Sequence, residues 1–231
     1  MQYVMRIHEN SRKAVILIPG NGSIPNDYFT GGNTYLNAAG KDIFDEGFDV
    51  FSPYITHSSR FQNSRRRLAS LSGERWEDHD VQRIVILLER LAKKYDEIHI
   101  AGVSTGGMLA IRSYRTFTQA FPEASKRIGV VVSVEGWQSG GHLIKKQEDS
   151  LFRWNWEMAF PGIDKKEFDS IANTRNVFLA FGSCNEGFFK PIYSKFFQGR
   201  VLRYQGAHEF KVDVFFEALK RWRKRVSKRE N

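Results

Sequence analysis

The order of apolar segments along the chain constrains the fold more than any other feature. Short apolar runs alternate with longer stretches in which apolar residues recur at the spacing of one helix face. Residues 14–18 (AVILI) form a β-branched run without a charge, as in a strand buried on both faces. Residues 79–95 instead carry apolar side chains three and four positions apart. This pattern predicts an α/β fold with a mostly parallel central sheet and helices on both faces.

The chain has 231 residues, an ordinary length for one α/β domain, so we expect residues 1–231 to form a single domain. Strands are predicted over residues 14–18, 48–54, 98–103, 128–134, 177–181 and 200–204, and helices over residues 35–46, 79–95, 108–121, 191–197 and 212–226. Tryptophans crowd together in the interval 135–176 without a strand pattern. We predict that this interval is a small helical cap over the sheet.

Several classes of protein are disfavoured by the composition. No stretch approaches the eighteen or so uncharged apolar residues that a membrane span needs. The single cysteine, Cys184, cannot form an internal disulfide, and residues 1–12 lack the features of a secretory signal. We therefore expect a cytoplasmic protein without a membrane span.

The net charge of +9 raises the question of an anionic partner. Seven of the positive charges lie at the C-terminal end, at Lys220, Arg221, Arg223, Lys224, Arg225, Lys228 and Arg229. A basic run of this kind on a terminal helix is usually a solvated face. Binding to nucleic acid or an anionic surface through this helix is the alternative. No RNA-binding motif accompanies the helix, so no nucleic-acid partner is expected.

The segment that indicates chemistry is residues 99–111, HIAGVSTGGMLAI. It reads as an apolar strand, a GxSxG turn around Ser104, and the start of a helix rich in small residues. A serine at such a turn sits on a strained bend, and the flanking glycines are needed because side chains there would collide with the neighbouring strand and helix. Ser104 is therefore the predicted nucleophile. The alternative is a serine that caps a helix after a glycine turn.

In the order of these motifs the chain resembles the α/β-hydrolase superfamily, from Ala14 to about Val226. The resemblance implies an oxyanion hole formed by two backbone N–H groups. One would come from Asn21, in the turn Pro-Gly-Asn-Gly that follows the first predicted strand, and the other from Thr105. Pro19 stands where this superfamily often has a histidine, which leaves the backbone donor of the turn in place.

The base predicted for Ser104 is His208. A serine hydroxyl needs a base that titrates near neutral pH, which means a histidine. Of the six histidines, His208 follows the last predicted strand and precedes the final helix, where the superfamily places its base.

The acid of the triad has two candidates. The resemblance places an aspartate or glutamate shortly after the strand that ends at Phe181. Asn185 occupies the usual position, and Glu186 follows one residue later. Glu186 is the first choice, and the alternative is Glu135, which directly follows the strand predicted over residues 128–134.

Together these residues predict a serine hydrolase that cleaves a carboxylic ester or thioester through an acyl-enzyme intermediate. The expected partner is a small-molecule ester or acyl substrate. No metal or organic cofactor is expected, because the sequence contains no CxxC pair, HExxH helix or Walker loop. A binding protein on a decayed hydrolase scaffold is an alternative, motivated by Pro19 and by the unsettled acid.

Overall fold

The computed structural model describes residues 2–20, 23–31, 36, 38–55, 76–136, 174–184, 197, 199–207 and 209–228, with the side chains of 76–78 excepted. The strands in this part of the chain are β1 (Tyr3–Arg6), β2 (Lys13–Ile18), β3 (Asp49–Pro53), β4 (Glu97–Val103), β5 (Ile128–Val134), β6 (Val177–Gly182) and β7 (Val201–Tyr204). The helices are α1 (Asp27–Thr30), α2 (Ala39–Asp45), α3 (Trp76–Ala92), α4 (Thr105–Ala120), α5 (Pro122–Ser125) and α6 (Val212–Ser227).

These seven strands form one sheet in the order β1-β3-β2-β4-β5-β6-β7. β1 pairs antiparallel with β3, and every other pair is parallel. The predicted α/β class with a mostly parallel sheet is confirmed. Each predicted strand is present within two residues of its predicted ends, and β1 is an additional strand at the edge of the sheet.

The side chains of the central strands divide the core into two layers. Along β2, Ile16 and Ile18 pack with α3 and α4 on one face, whereas Val15 and Leu17 pack with α1, α2 and α6 on the other. This alternation is what a strand covered on both faces requires. Helices on both faces of the sheet are therefore confirmed.

Helix ends differ from the predicted ones by a few residues. α2 ends at Asp45, two residues before Gly47, whose φ of 86° is easily reached only by glycine. α4 begins at Thr105, three residues earlier than predicted. The predicted helix 191–197 and most of the predicted cap 135–176 lie outside the described residues, and the single-domain division stays a prediction. No described helix is long and apolar enough to cross a membrane.

A histidine is buried near the amino end of β4, whereas Ser104 follows the carboxyl end of the same strand. His99 has no exposed surface and packs edge-on against the rings of Phe215 and Trp222 of α6. Its Nδ1 accepts the Val130 N–H at 2.9 Å, and its Nε2 lies 2.8 Å from the Glu97 carboxylate. Burial lowers the pKa of His99, although Glu97 opposes this effect. The contact with His99 in turn lowers the pKa of Glu97 to about 2.

Candidate active site

Ser104 lies between the end of β4 and the start of α4, in a backbone conformation that residues other than glycine rarely adopt. Its φ is 56° and its ψ is −125°, outside both the helical and the extended regions. The Ser104 N–H donates a 2.8 Å hydrogen bond to the carbonyl of Val134, at the end of the neighbouring strand. Ser104 thus occupies a sharp, strained turn at the carboxyl edge of the sheet, as the GxSxG motif predicted.

The glycines on both sides of Ser104 are required by close backbone packing. A Cβ atom on Gly102 would lie 2.3 Å from the carbonyl oxygen of Gly106, and one on Gly106 would lie 2.1 Å from the carbonyl oxygen of Ile18. Both distances are far below any real Cβ contact, and both neighbours are backbone atoms. Strand β4, helix α4 and strand β2 can approach this closely only with glycine at positions 102 and 106.

The turn after β2 lies directly against the turn that carries Ser104. A Cβ atom on Gly20 would lie 3.0 Å from the carbonyl oxygen of Val103 and 3.2 Å from the Cβ of Ser104. At the end of β2, the buried Tyr28 hydroxyl donates a 3.0 Å hydrogen bond to the carbonyl of Ile18. The segment that leads into the predicted oxyanion donor, Asn21, is therefore held beside the predicted nucleophile.

Glu135 follows β5 and is fully buried. Its φ is 51°, which for a side chain of this size indicates a strained backbone. Its Oε1 accepts two hydrogen bonds, from the Gly182 N–H at 2.8 Å and from the Tyr204 hydroxyl at 3.1 Å. A buried carboxylate is stable only with donors of this kind. Because Glu135 follows Val134, which bonds to Ser104, the carboxylate and the serine belong to adjacent strand ends.

The loop after β7 is fixed to the end of β6. The Gly206 N–H donates to Ser183 Oγ at 3.2 Å, and the Cys184 N–H donates to the carbonyl of Gly206 at 3.0 Å. A Cβ atom on Gly182 would lie 2.6 Å from the Gly206 carbonyl oxygen and 2.7 Å from that of Ala207. The residues just before position 208 therefore lie against the end of β6, close to Glu135.

Of the predicted site residues, Ser104, Thr105 and the alternative acid Glu135 lie in the described part of the chain. Thr105 is buried as the first residue of α4, where backbone N–H groups lack intrahelical acceptors. Asn21, Glu186 and His208 lie outside the described residues, so their roles stay predictions. Within those limits, no cluster of His, Cys, Asp and Glu has the composition of a metal site.

Two residues of this region were missed by sequence reasoning. The sequence predicts Tyr204 only as the last residue of a strand, and Gly182 only as the start of a loop. The sequence offers a weak signal for each, since polar groups and glycines at the carboxyl ends of parallel strands tend to belong to sites. What it does not contain is the fact that both residues donate to one carboxylate.

Part of the basic charge of α6 has structural partners. Arg221 Nε lies 2.7 Å from the Glu217 carboxylate, and Arg223 Nη2 lies 3.1 Å from that of Glu97. Arg225 Nη2 donates to the carbonyl of Gly199 at 3.2 Å. The contacts of Arg223 and Arg225 attach the helix to the rest of the fold, whereas the pair of Arg221 with Glu217 lies within α6 and fits the interpretation of a solvated helix face.

Comparison with solved structures identifies the fold. In sequence, the chain matches no family model and no curated protein. A carboxylesterase structure from the thaumarchaeon Nitrososphaera gargenis is similar over 98% of this chain and 95% of its own, with a TM-score of 0.56 at 13% identity. The chain has the α/β-hydrolase fold.

Two further solved structures are similar to the chain. Est1E from Butyrivibrio proteoclasticus, with ferulic acid bound, covers 100% of this chain and 96% of its own, with a TM-score of 0.52 at 11% identity. An esterase from Pyrococcus furiosus covers 92% of this chain and 82% of its own, with a TM-score of 0.51 at 18% identity. At these identities the likeness establishes the α/β-hydrolase fold alone.

Proposed function

We propose that the protein is a serine hydrolase that cleaves a small carboxylic ester or thioester. The observation that carries this proposal is the strained backbone of Ser104, with φ 56°, in a turn packed between the β2 turn and the strand end that bears Glu135. Strain of this kind persists only where the surrounding structure enforces it, and it concentrates at functional sites. The described esterase neighbours favour an ester as the substrate class.

In the proposed mechanism, Ser104 Oγ attacks the carbonyl carbon of the ester while His208 accepts the hydroxyl proton. The backbone N–H groups of Asn21 and Thr105 hold the oxyanion of the tetrahedral intermediate. The C–O bond to the leaving group breaks as His208 returns the proton to it. Water, activated by His208 in the same way, then releases the acid from the acyl enzyme.

We assign the acid of the triad to Glu135, although the sequence favours Glu186. Glu135 is fully buried, and its Oε1 accepts hydrogen bonds from two donors. It directly follows Val134, whose carbonyl accepts the Ser104 N–H. A carboxylate in this setting can fix the tautomer of an imidazole and stabilise its protonated form. The chain order serine, acid, histidine holds for Glu135 as it does for Glu186.

Labelling by a fluorophosphonate probe together with hydrolysis of short p-nitrophenyl esters tests the nucleophile. Ser104→Ala is expected to abolish both while the protein stays folded. Ser125→Ala is the matched control, because that hydroxyl is exposed and bonds only to the nearby carbonyl of Pro122 among the contacts of the described residues. Undiminished turnover in the Ser104→Ala variant would refute the assignment. A wild-type protein that neither turns over nor takes the probe would favour a decayed hydrolase scaffold.

A pair of amide variants tests the acid. In Ser-His-Asp triads, replacing the carboxylate by an amide lowers kcat by roughly 10⁴-fold. We expect a loss of this order in Glu135→Gln and less than about fivefold in Glu186→Gln, with protein concentration corrected for the folded fraction. The opposite ranking of the two variants would return the role to Glu186.

A further inference from the structure

The hydroxyl of Tyr204 connects two parts of the candidate active site. Tyr204 is the last residue of β7, and its hydroxyl lies 3.1 Å from Glu135 Oε1 and 2.9 Å from the carbonyl oxygen of Ala207. Ala207 immediately precedes His208 in the chain. One side chain therefore touches both the buried carboxylate and the segment that carries the predicted base.

The chemistry of a phenol suits this position. A tyrosine hydroxyl donates a single hydrogen, so Glu135 Oε1 and the Ala207 carbonyl share one donor. Burial, followed by the charge of Glu135, raises the pKa of Tyr204, so the hydroxyl stays protonated and donates at neutral pH. The half-buried ring is attached to a strand of the sheet and not to a loop, so the position of its hydroxyl beside the carboxylate is fixed.

The contacts of Glu135 define what this hydroxyl does. The Gly182 N–H, at 2.8 Å, holds the same oxygen, Oε1, from the end of β6. With two donors on Oε1, rotation of the carboxylate breaks at least one hydrogen bond, which is costly in a buried site. The orientation of the second oxygen, Oε2, follows from that of the first.

Resting on the proposed function, we propose that Tyr204 is a positioning residue of the active site. Its hydroxyl sets the orientation of the Glu135 carboxylate, which the proposed mechanism pairs with His208. Through the Ala207 carbonyl, it also holds the carboxylate beside the residue that precedes His208 in the chain. Tyr204 does not touch the reacting atoms, and it acts on catalysis only through Glu135 and the position of His208.

Kinetics of Tyr204→Phe in two backgrounds test this role. The variant keeps the ring and removes only the hydroxyl. With Glu135 present, we expect kcat to fall about tenfold while KM changes less than about twofold, because the loss affects proton transfer and not substrate binding. In the Glu135→Gln background, adding Tyr204→Phe should change kcat by less than about twofold. Equal losses in both backgrounds, or no loss in either, would overturn the proposal.

Tyr114→Phe is the matched control. That buried tyrosine lies on α4, more than two turns of helix beyond Ser104, and its hydroxyl bonds to Asn176 Oδ1 at 3.2 Å. Like Tyr204→Phe, the Tyr114→Phe variant loses a tyrosine hydroxyl that bonds to a side-chain oxygen, but this hydroxyl lies away from the candidate site. We expect its kcat to remain within about twofold of wild type.

A pH titration of His208 tests the role of Tyr204 independently of whether the protein hydrolyses esters. The histidine ring signals are followed by NMR against pH in protein labelled with ¹³C-histidine, and the His208 signal is assigned by its absence in His208→Gln. Tyr204→Phe should move the titration midpoint of His208 when Glu135 is present and leave it unmoved in Glu135→Gln. An identical midpoint in wild type and Tyr204→Phe refutes the role of Tyr204 whether or not the protein hydrolyses esters. Absence of ester turnover and probe labelling in wild type refutes the proposed function alone.

Discussion

Replacing Gly106 by alanine is expected to destabilise the fold by more than an ordinary glycine substitution. The added Cβ would lie 2.1 Å from the carbonyl oxygen of Ile18 and 2.5 Å from that of Pro19. To bring the first contact to 3.0 Å, the turn after β2 and the start of α4 must separate by about 0.9 Å. No side-chain rotation can relieve the clash, because both neighbours are backbone atoms.

The expected magnitude follows from the rigidity of this region. Overpacking against side chains usually lowers the free energy of unfolding by about 1–3 kcal/mol. Because backbone atoms yield less than side chains, we expect a loss of about 3 kcal/mol or more for Gly106→Ala. For a chain of this size, about 3 kcal/mol corresponds to a fall in Tm of roughly 6–12 °C. The same movement displaces the β2 turn from Ser104, so probe labelling should slow by more than the loss of folded protein explains.

Gly47→Ala is the matched control. Gly47 has φ 86° but no atom within 4 Å of an added Cβ, so the variant measures backbone strain without a clash. It should cost about 1–2 kcal/mol and leave probe labelling unchanged. Urea unfolding of both variants gives the two free energies of unfolding. If Gly106→Ala proves no less stable than Gly47→Ala, the reasoning about the packing of the Ser104 turn is wrong.

Two further predictions concern stability. The pKa of His99 is lowered from 6.5 and that of Glu97 from 4.5 to about 2, so both groups stabilise the fold at neutral pH and lose this contribution as the pH falls. Between pH 5 and 2 the free energy of unfolding should therefore fall, and this fall should be smaller by about 2 kcal/mol in Glu97→Gln than in wild type. Urea unfolding at several pH values measures it, and the same pH dependence in both proteins would contradict the prediction. Tyr28→Phe removes the donor to the Ile18 carbonyl and should cost about 1–2 kcal/mol, measured in the same way. A Tyr28→Phe protein as stable as wild type would show that this hydrogen bond contributes nothing.

Much of the sheet could be predicted because its strands are buried on both faces. The strand predicted over residues 128–134 has those bounds in the structure, since its apolar run is interrupted only by Gly129 and Ser133. β1 has no such signal. Of its four residues, Tyr3, Met5 and Arg6 are exposed and Val4 is half-buried, so its pattern of residue types reflects neither a buried nor an alternating strand.

The start of α4 shows how a site overrides local preference. Thr105, Gly106 and Gly107 are poor helix formers, so propensity favours a start at Met108. The structure begins the helix at Thr105 because the backbone of Ser104 turns sharply and the glycines allow α4 to pack against β2 and β4. The sequence motif contains this requirement, but helix periodicity does not.

The choice of acid illustrates what a linear sequence cannot provide. Glu135 and Glu186 each follow a predicted strand, and chain order fits both, so the sequence favours Glu186 only through its place in the resemblance. The proposal for Glu135 rests on its burial and on donors from Gly182 and Tyr204, 47 and 69 residues further along the chain. Such long-range pairs depend on the register of β5, β6 and β7, which has no local signature.

The positive φ values of Ser104 and Glu135 place two side chains with unfavourable backbone conformations on neighbouring strand ends. Glycine would adopt the positive φ at either position with less strain. At position 135 the two hydrogen bonds to the carboxylate offset this gain, so selection for stability alone would favour replacement only at position 104. Under the proposed function, the reaction requires the strained serine, so stabilising substitutions at position 104 should be recovered only in screens that do not require activity.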